Sequence, residues 1–234
     1  MNINPLTNLS IIIPLAQNEN AWASLLEDFK ELPTEAEIIL VGSNAPPPLL
    51  DSFSINKGFQ IRWVLAHQGR SSQLNQGAQA AKNKFLWFLH ADSRITHKNI
   101  KSLAHALSQH ENALYYFNLK FLPDGPKLMI LNQIGANLRT HIFGLPYGDQ
   151  GFCLSQETFN KLGGFVENIK TGEDYLLVRK AKQLQIKLKC TNTYIYTSAR
   201  KYKQQGWLKT SLKHIGFSCK QAMLRWFKIY ASSQ

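Results

Sequence analysis

Apolar positions in the first half of the chain follow two alternating rhythms. Short β-branched or wholly apolar runs read as strands: Ser10-Ile-Ile-Ile-Pro14, Glu37–Val41, Ile61–Leu65 and Phe85–Leu89. Between them, Trp22, Leu25, Leu26 and Phe29 recur at helical spacing within Asn20–Leu32, which Pro33 closes. Leu74, Ala78 and Ala81 do the same within Ser71–Lys82. Ile100–Leu107 continues as helix and Leu114–Phe121 as strand. Strands alternating with helices predict an α/β fold with a mainly parallel central sheet flanked by helices. The second half is less regular, with helices expected over Lys127–Ile142 and Glu173–Leu184 and strands over Gly148–Leu154 and Tyr194–Thr197. From Leu208 a single helical stripe runs through Leu212, Ile215, Cys219, Met223, Trp226 and Tyr230, with Lys209, Lys213, Lys220 and Lys228 on the other side.

This pattern says where chemistry should be sought. In open parallel sheets, ligands sit at the carboxyl ends of the strands. The run Phe85–Leu89 is apolar on both faces, as a central strand is, and it ends in His90-Ala91-Asp92. Asp92 has two readings. It caps the next helix, a task the Thr96 region can equally perform, or it is a hard-oxygen ligand for Mg²⁺ or Mn²⁺. His90 lies on the same side of an extended chain and suits a borderline ion such as Mn²⁺.

Four further polar places stand out. Gln17-Asn18-Glu19 follows the first strand, where Glu19 also suits a helix N-terminus. Gly69–Gly77 carries Arg70, Ser71, Ser72, Gln73, Asn75 and Gln76, a face rich in hydrogen-bonding groups with a cation at its start. Tyr147-Gly148-Asp149-Gln150-Gly151 permits a close approach or a tight turn. Lys170-Thr171-Gly172-Glu173-Asp174 is either an acidic helix start or the source of a carboxylate base.

Composition narrows the class. The 234 residues are 44% apolar, enough for one well-buried domain without disulfide staples. Three scattered cysteines with no CxxC pair fit a reducing cytosol and argue against a zinc ribbon. The N-terminus lacks a basic start and cleavage site, and no apolar run is long enough to span a bilayer. The expectation is a cytoplasmic protein, soluble or peripheral at the inner face of the cell membrane. The net charge is +12, and eight of the 27 basic residues lie from Arg200 onward, where there is no Asp or Glu. Such a tail attracts phosphates on nucleotides or lipids. The aromatic residues do not interleave with basic ones as nucleic-acid stacking requires, so no nucleic-acid partner is expected. The domain reading is 1–206 for the α/β domain and 207–234 for a basic amphipathic helix, packed on the domain or lying on a membrane surface.

In order and spacing, SIIIP…QNE, EIILV, GRSSQLNQGAQAAKNKFLWFLHAD, YGDQGFCLSQETFNKLGGF, GEDYLLVRKAKQLQ and TSARKYKQQG resemble a family 2 glycosyltransferase of the GT-A fold. The likeness is to a small bacterial branch and spans Ser10 to about Thr210. It implies an enzyme moving a sugar from a nucleotide-diphosphate sugar to an acceptor hydroxyl, with inversion and with Mg²⁺ or Mn²⁺. Asp92 matches the second Asp of the family's Asp-x-Asp motif, and His90 replaces the first. Asp174 of the Glu173-Asp174 pair matches the catalytic base, with Asp149 the next candidate. Asn18, Glu19, Arg70, Gln73 and Asn75 match donor-nucleotide positions, and Arg200 lies in a segment that contacts the diphosphate. Two departures are visible: Val41-Gly42-Ser43-Asn44 carries no Asp where many relatives do, and Tyr202 stands where the branch has Trp. A lipid-linked acceptor would give the basic tail a purpose. The reading from another class is a non-catalytic nucleotide-sugar or polyanion binder.

Overall fold

The structure, a computed structural model, describes residues 4–48, 50, 60–169, 171–213 and 216. The chain forms two compact units. The larger comprises Met1–Lys120 and Ala136–Thr197, and the smaller comprises Phe121–Gly135 and Ser198–Gln234.

Eight strands make one mixed sheet: β1 (Leu9–Pro14), β2 (Glu37–Gly42), β3 (Gln60–Leu65), β4 (Phe85–Phe88), β5 (Ser93–Arg94), β6 (Ala113–Phe121), β7 (Cys153–Ser155) and β8 (Lys187–Thr197). Their spatial order is β3-β2-β1-β4-β7-β6-β8-β5. Strands β1 to β4 are mutually parallel where they pair, whereas β7 runs antiparallel to β4 and β6. The chain winds outward from β1 to β3, then returns to place β4 on the other side of β1. That reversal opens a crevice at the carboxyl ends of β1 and β4. The α/β expectation from strand–helix alternation therefore holds.

The helices are α1 (Trp22–Glu27), α2 (Arg70–Ala80), α3 (His97–Gln109), α4 (Met129–Phe143), α5 (Gln156–Leu162), α6 (Glu173–Gln183) and α7 (Arg200–Gln205). Helix α2 lies so close to β1 and β2 that a Cβ on Gly77 would come within 2.5 Å of Ile12 Cγ2 and 2.9 Å of Val41 Cγ2. At the amino end of the same strands, Glu37 is buried and collects Ser10 Oγ at 2.6 Å, the Lys82 N–H at 2.5 Å and Arg62 Nη2 at 2.7 Å. Burial pushes its pKa up, but these three donors outweigh burial and hold it below the usual value.

Several elements differ from the sequence reading. Helix α1 ends at Glu27, because Asp28 turns to accept Arg94 Nε at 2.7 Å and Nη2 at 2.6 Å, and Phe29 and Leu32 stay buried through turns instead. The expected strand from Gly148 is a 3₁₀ turn over Gly148–Gln150, and β7 begins at Cys153. The buried Gln150 side chain locks that turn, donating to Phe117 O at 2.8 Å and accepting from Thr140 Oγ1 at 2.9 Å. Strand β8 starts seven residues earlier than its apolar signal. Helix α5 was unexpected, although Ser155 caps it by accepting from the Thr158 N–H and Gly163 ends it at φ 76°.

In the smaller unit, Asp124 accepts from Ser198 Oγ at 2.5 Å and the Ala199 N–H at 2.7 Å, and Phe121 meets Tyr202 edge-on at 5.9 Å. Residues 207–213 are helical. Of the expected C-terminal stripe, Ile215, Cys219, Met223, Trp226 and Tyr230 lie outside the described residues. Among those described, no helix is long and apolar enough to cross a membrane.

Candidate active site

Arg70 is the first residue of α2, and Gln73 one turn later donates to Leu15 O at 2.8 Å. That bond anchors the helix start to the end of β1. From there the Arg70 guanidinium reaches His90, just past β4, and its Nη2 donates to His90 Nε2. Its Nε is 3.2 Å from Oε1 of Glu173, the buried first residue of α6. One cation thus ties together a strand end and two helix starts. The amino ends of α2 and α6 both carry partial positive charge, which with Arg70 makes the place favourable to an anion.

His90 is an acceptor at Nε2. Burial, then the Arg70 charge, holds its pKa well below the usual value, so the ring is neutral at physiological pH. Asp174, the second residue of α6, accepts the Gly148 N–H at 2.8 Å and the Tyr175 N–H at 2.7 Å, one on each oxygen. Gly148 has no room for a side chain: a Cβ there would collide with Arg70 Nη2 and sit 3.4 Å from Asp174 Oδ2.

Asp149 is different. Its Oδ1 is buried without a hydrogen-bond partner. Its pKa is pushed up to about 6, chiefly by burial; the nearby Asp174 and Asp92 charges add to this, and Arg139 and Arg70 oppose it. A carboxyl poised near neutrality in a cluster of charges is characteristic of a functional position. Arg139, on α4, was missed from the sequence. Its Cζ lies 3.5 Å from the centroid of the Tyr147 ring, its Nε donates to Leu145 O at 3.0 Å, and its Nη2 is buried without a partner. The available signal was that α4 holds no other residue that is charged at all pH values of interest.

The remaining expected residues divide. Glu19 Oε1 accepts the Ala21 N–H at 2.7 Å, as a helix-start acid does, and Asn18 occupies an exposed turn at φ 61°. Asn75 bonds to Phe165 in both directions and to Glu167 at 2.8 Å, which fastens α2 to the segment before α6. Arg200 belongs to the smaller unit, where its Nε donates to Ser198 Oγ at 3.0 Å. Thr96 is the N-cap of α3, and its N–H donates to Asn99 Oδ1 at 2.8 Å across the first turn, in the capping-box manner.

Metal fitness follows from the donor set. Among the described residues, no three His, Cys, Asp or Glu side chains converge to hold an ion. Mg²⁺ and Mn²⁺ need only one or two carboxylates when phosphates and water complete the shell. Asp92, close enough to raise the pKa of Asp149, suits that arrangement. His90 does not as it stands, because the nitrogen it would offer faces a guanidinium.

The profile of Glycosyl transferase family 2 matches residues 10–171, more than half of the chain. The chain belongs to this family. A search of curated proteins finds no match. Among solved structures, the family fold is shared with S. aureus TarS residues 1–349, at 20% identity and a TM-score of 0.61, covering 82% of this chain and 60% of that one. That protein has also been solved with UDP-GlcNAc. A mannosyltransferase, PcManGT from Pyrobaculum calidifontis, in complex with GDP-Man and Mn²⁺, aligns at 13% identity and a TM-score of 0.59, covering 81% of this chain and 56% of its own. GalNAc-T7 with UDP, GalNAc and Mn²⁺ aligns at 16% identity and a TM-score of 0.62, covering 82% and 44%. This chain spans less than two thirds of the length of each of them. The GT-A fold inferred from the resemblance is thereby shown.

Proposed function

We propose that this family 2 domain transfers a sugar from a nucleotide-diphosphate donor to an acceptor hydroxyl, with inversion. The observation that carries the reading is the Asp149 carboxyl, whose Oδ1 is buried without a hydrogen-bond partner, among the charges of Asp174, Arg70 and Arg139. In the transfer, the acceptor oxygen bonds to the anomeric carbon as the bond from that carbon to the diphosphate breaks. The leaving diphosphate takes the electron pair, and the acceptor proton goes to a carboxylate.

Within the Asp149–Asp174 pair we assign the proton to Asp149. Its raised pKa lies nearer the operating range of a general base, whereas both oxygens of Asp174 are already engaged by the backbone N–H groups of Gly148 and Tyr175. Asp174 then acts by holding the Gly148 turn that carries Asp149. Arg70, held by Glu173 and His90, stabilises charge gathering on the diphosphate, and does so without reorganising. A divalent ion on Asp92, Mg²⁺ or Mn²⁺, would neutralise further charge on the leaving group.

The test is a thermal-shift screen of nucleoside diphosphates with and without Mn²⁺, followed by donor turnover in Asp92→Ala and Asp149→Asn. We expect Asp92→Ala to lose the Mn²⁺-dependent shift. We expect Asp149→Asn to keep the shift but lose turnover by about 10²–10⁴-fold. Full turnover in Asp149→Asn, with loss confined to Asp174→Asn, would return the base role to Asp174. A shift without turnover for any donor would favour a nucleotide-sugar binder.

A further inference from the structure

Two helical segments of the smaller unit are turned inside out. In the first turns of α4, Met129 is buried and Asn132 and Gln133 are half-buried, while Ile130, Leu131 and Ile134 are 52%, 54% and 54% exposed. Residues 207–213 repeat the inversion: Thr210 and Ser211 are each 3% exposed, and Leu208 and Leu212 are 61% and 58% exposed. A water-facing helix normally shows the opposite arrangement. The inversion is fixed by hydrogen bonds within the unit. Asn132 Oδ1 accepts from Trp207 Nε1 at 2.7 Å, and Asn132 Nδ2 donates to Ser211 Oγ at 2.9 Å. Turning either segment to hide its leucines and isoleucines would break these bonds and bury bare amide and hydroxyl groups.

The charge of the same unit identifies the occupant. Its described residues hold six Lys and Arg against one acidic residue, Asp124, and that carboxylate already accepts from Ser198 and Ala199. Lys127, Lys201, Lys203, Lys209 and Lys213 are exposed. Exposed apolar side chains accompanied by lysines, with the unit's one described carboxylate bound by its own Ser198 and Ala199, are what an interfacial helix offers to acidic headgroups.

We propose that the smaller unit seats on an anionic lipid surface through this face. Ile130, Ile134, Leu208 and Leu212 enter the boundary between headgroups and acyl chains, and the lysines meet the lipid phosphates. The surface lies in described residues, and it does not depend on the proposed transfer. If that transfer also holds, acceptor hydroxyls carried on lipids become the substrates to try first.

The test is co-sedimentation of the full chain with vesicles, with no donor present. One set contains phosphatidylglycerol and phosphatidylcholine in equal parts, and the other phosphatidylcholine alone. The variants are the pairs Ile130→Gln with Ile134→Gln, Leu208→Gln with Leu212→Gln, and Lys209→Glu with Lys213→Glu. All six positions are exposed, so the melting curves should match wild type; the two apolar pairs serve as replicates should one fail to fold. We expect wild type to pellet with the anionic vesicles only, and each pair to partition about tenfold less. Equal pelleting of wild type with both vesicle sets, none with either, or full pelleting of both apolar pairs would overturn the proposal. So would a concentration-dependent dimer, abolished by the isoleucine pair, in a protein that ignores lipid.

Discussion

Replacing Asp149 by Asn should stabilise the metal-free protein. The carboxyl is enclosed, one oxygen has no partner, and its pKa stands at about 6 instead of 3.8. That difference of about two units corresponds to roughly 3 kcal/mol by which folding opposes ionisation of this group. The sign is that of a raised pKa: the contribution favouring the fold is complete below the unfolded value of about 4, and is lost as pH rises through about 6. Above pH ~7 the wild type carries the whole handicap, whereas the neutral amide carries none. The amide brings its own unmade hydrogen bonds, which cost about 1–2 kcal/mol. A net gain of about 1–2 kcal/mol remains, or roughly 2–8 °C in Tm for a chain of this size. The assay is a pair of thermal melts followed by circular dichroism in chelator, at pH 8 and at pH 4.5. The variant should lead clearly at pH 8, and the lead should shrink at pH 4.5. A variant no more stable than wild type at pH 8, with a difference indifferent to pH, would show that the carboxyl is solvated and refute the reasoning.

Two other substitutions probe the frame around the site. Glu37→Gln removes the charge that Ser10, Lys82 and Arg62 converge on, and should cost about 2–4 kcal/mol in denaturant unfolding at pH 7. Because the Glu37 pKa is lowered, that penalty should fade as pH falls below about 4; a penalty equal at pH 7 and pH 3 would contradict the assignment. Gly148→Ala places a methyl group against Arg70 Nη2, and should reduce donor turnover at least tenfold while urea unfolding moves by about 1–3 kcal/mol. Unchanged turnover would mean that Arg70 can move aside without consequence.

The parallel half of the fold was legible because β1, β2 and β4 are buried on both faces and so are written almost wholly in apolar residues. Strand β8 was legible only at its end, since polar and basic residues fill Lys187–Thr193 and the strand lies partly exposed. A tight turn at Gly148–Gln150 was one of two local readings, but the expected strand started too early because the turn's determinant is the Gln150 side chain, whose partners Phe117 and Thr140 lie outside the segment. In the site, Arg70, His90, Asp149, Glu173 and Asp174 were singled out by residue type and place. Their division of labour was not legible. Nothing local marks Asn75 as a fastener for the Phe165 segment, or His90 as the acceptor for Arg70. The inverted face of α4 was equally hidden, because periodicity reports that a helix has an apolar side and not which way that side points.

The tight contact beneath Gly77 has a consequence for the site. Arg70 lies seven residues earlier on α2, roughly 10 Å along its axis. Its placement is therefore calibrated by two hydrocarbon side chains, Ile12 and Val41, that never meet substrate. A single added methyl group at Gly77, or a bulkier neighbour on either strand, would lift the helix and retune the cation at its far end. The tolerance of the polar chemistry is set in the driest part of the molecule.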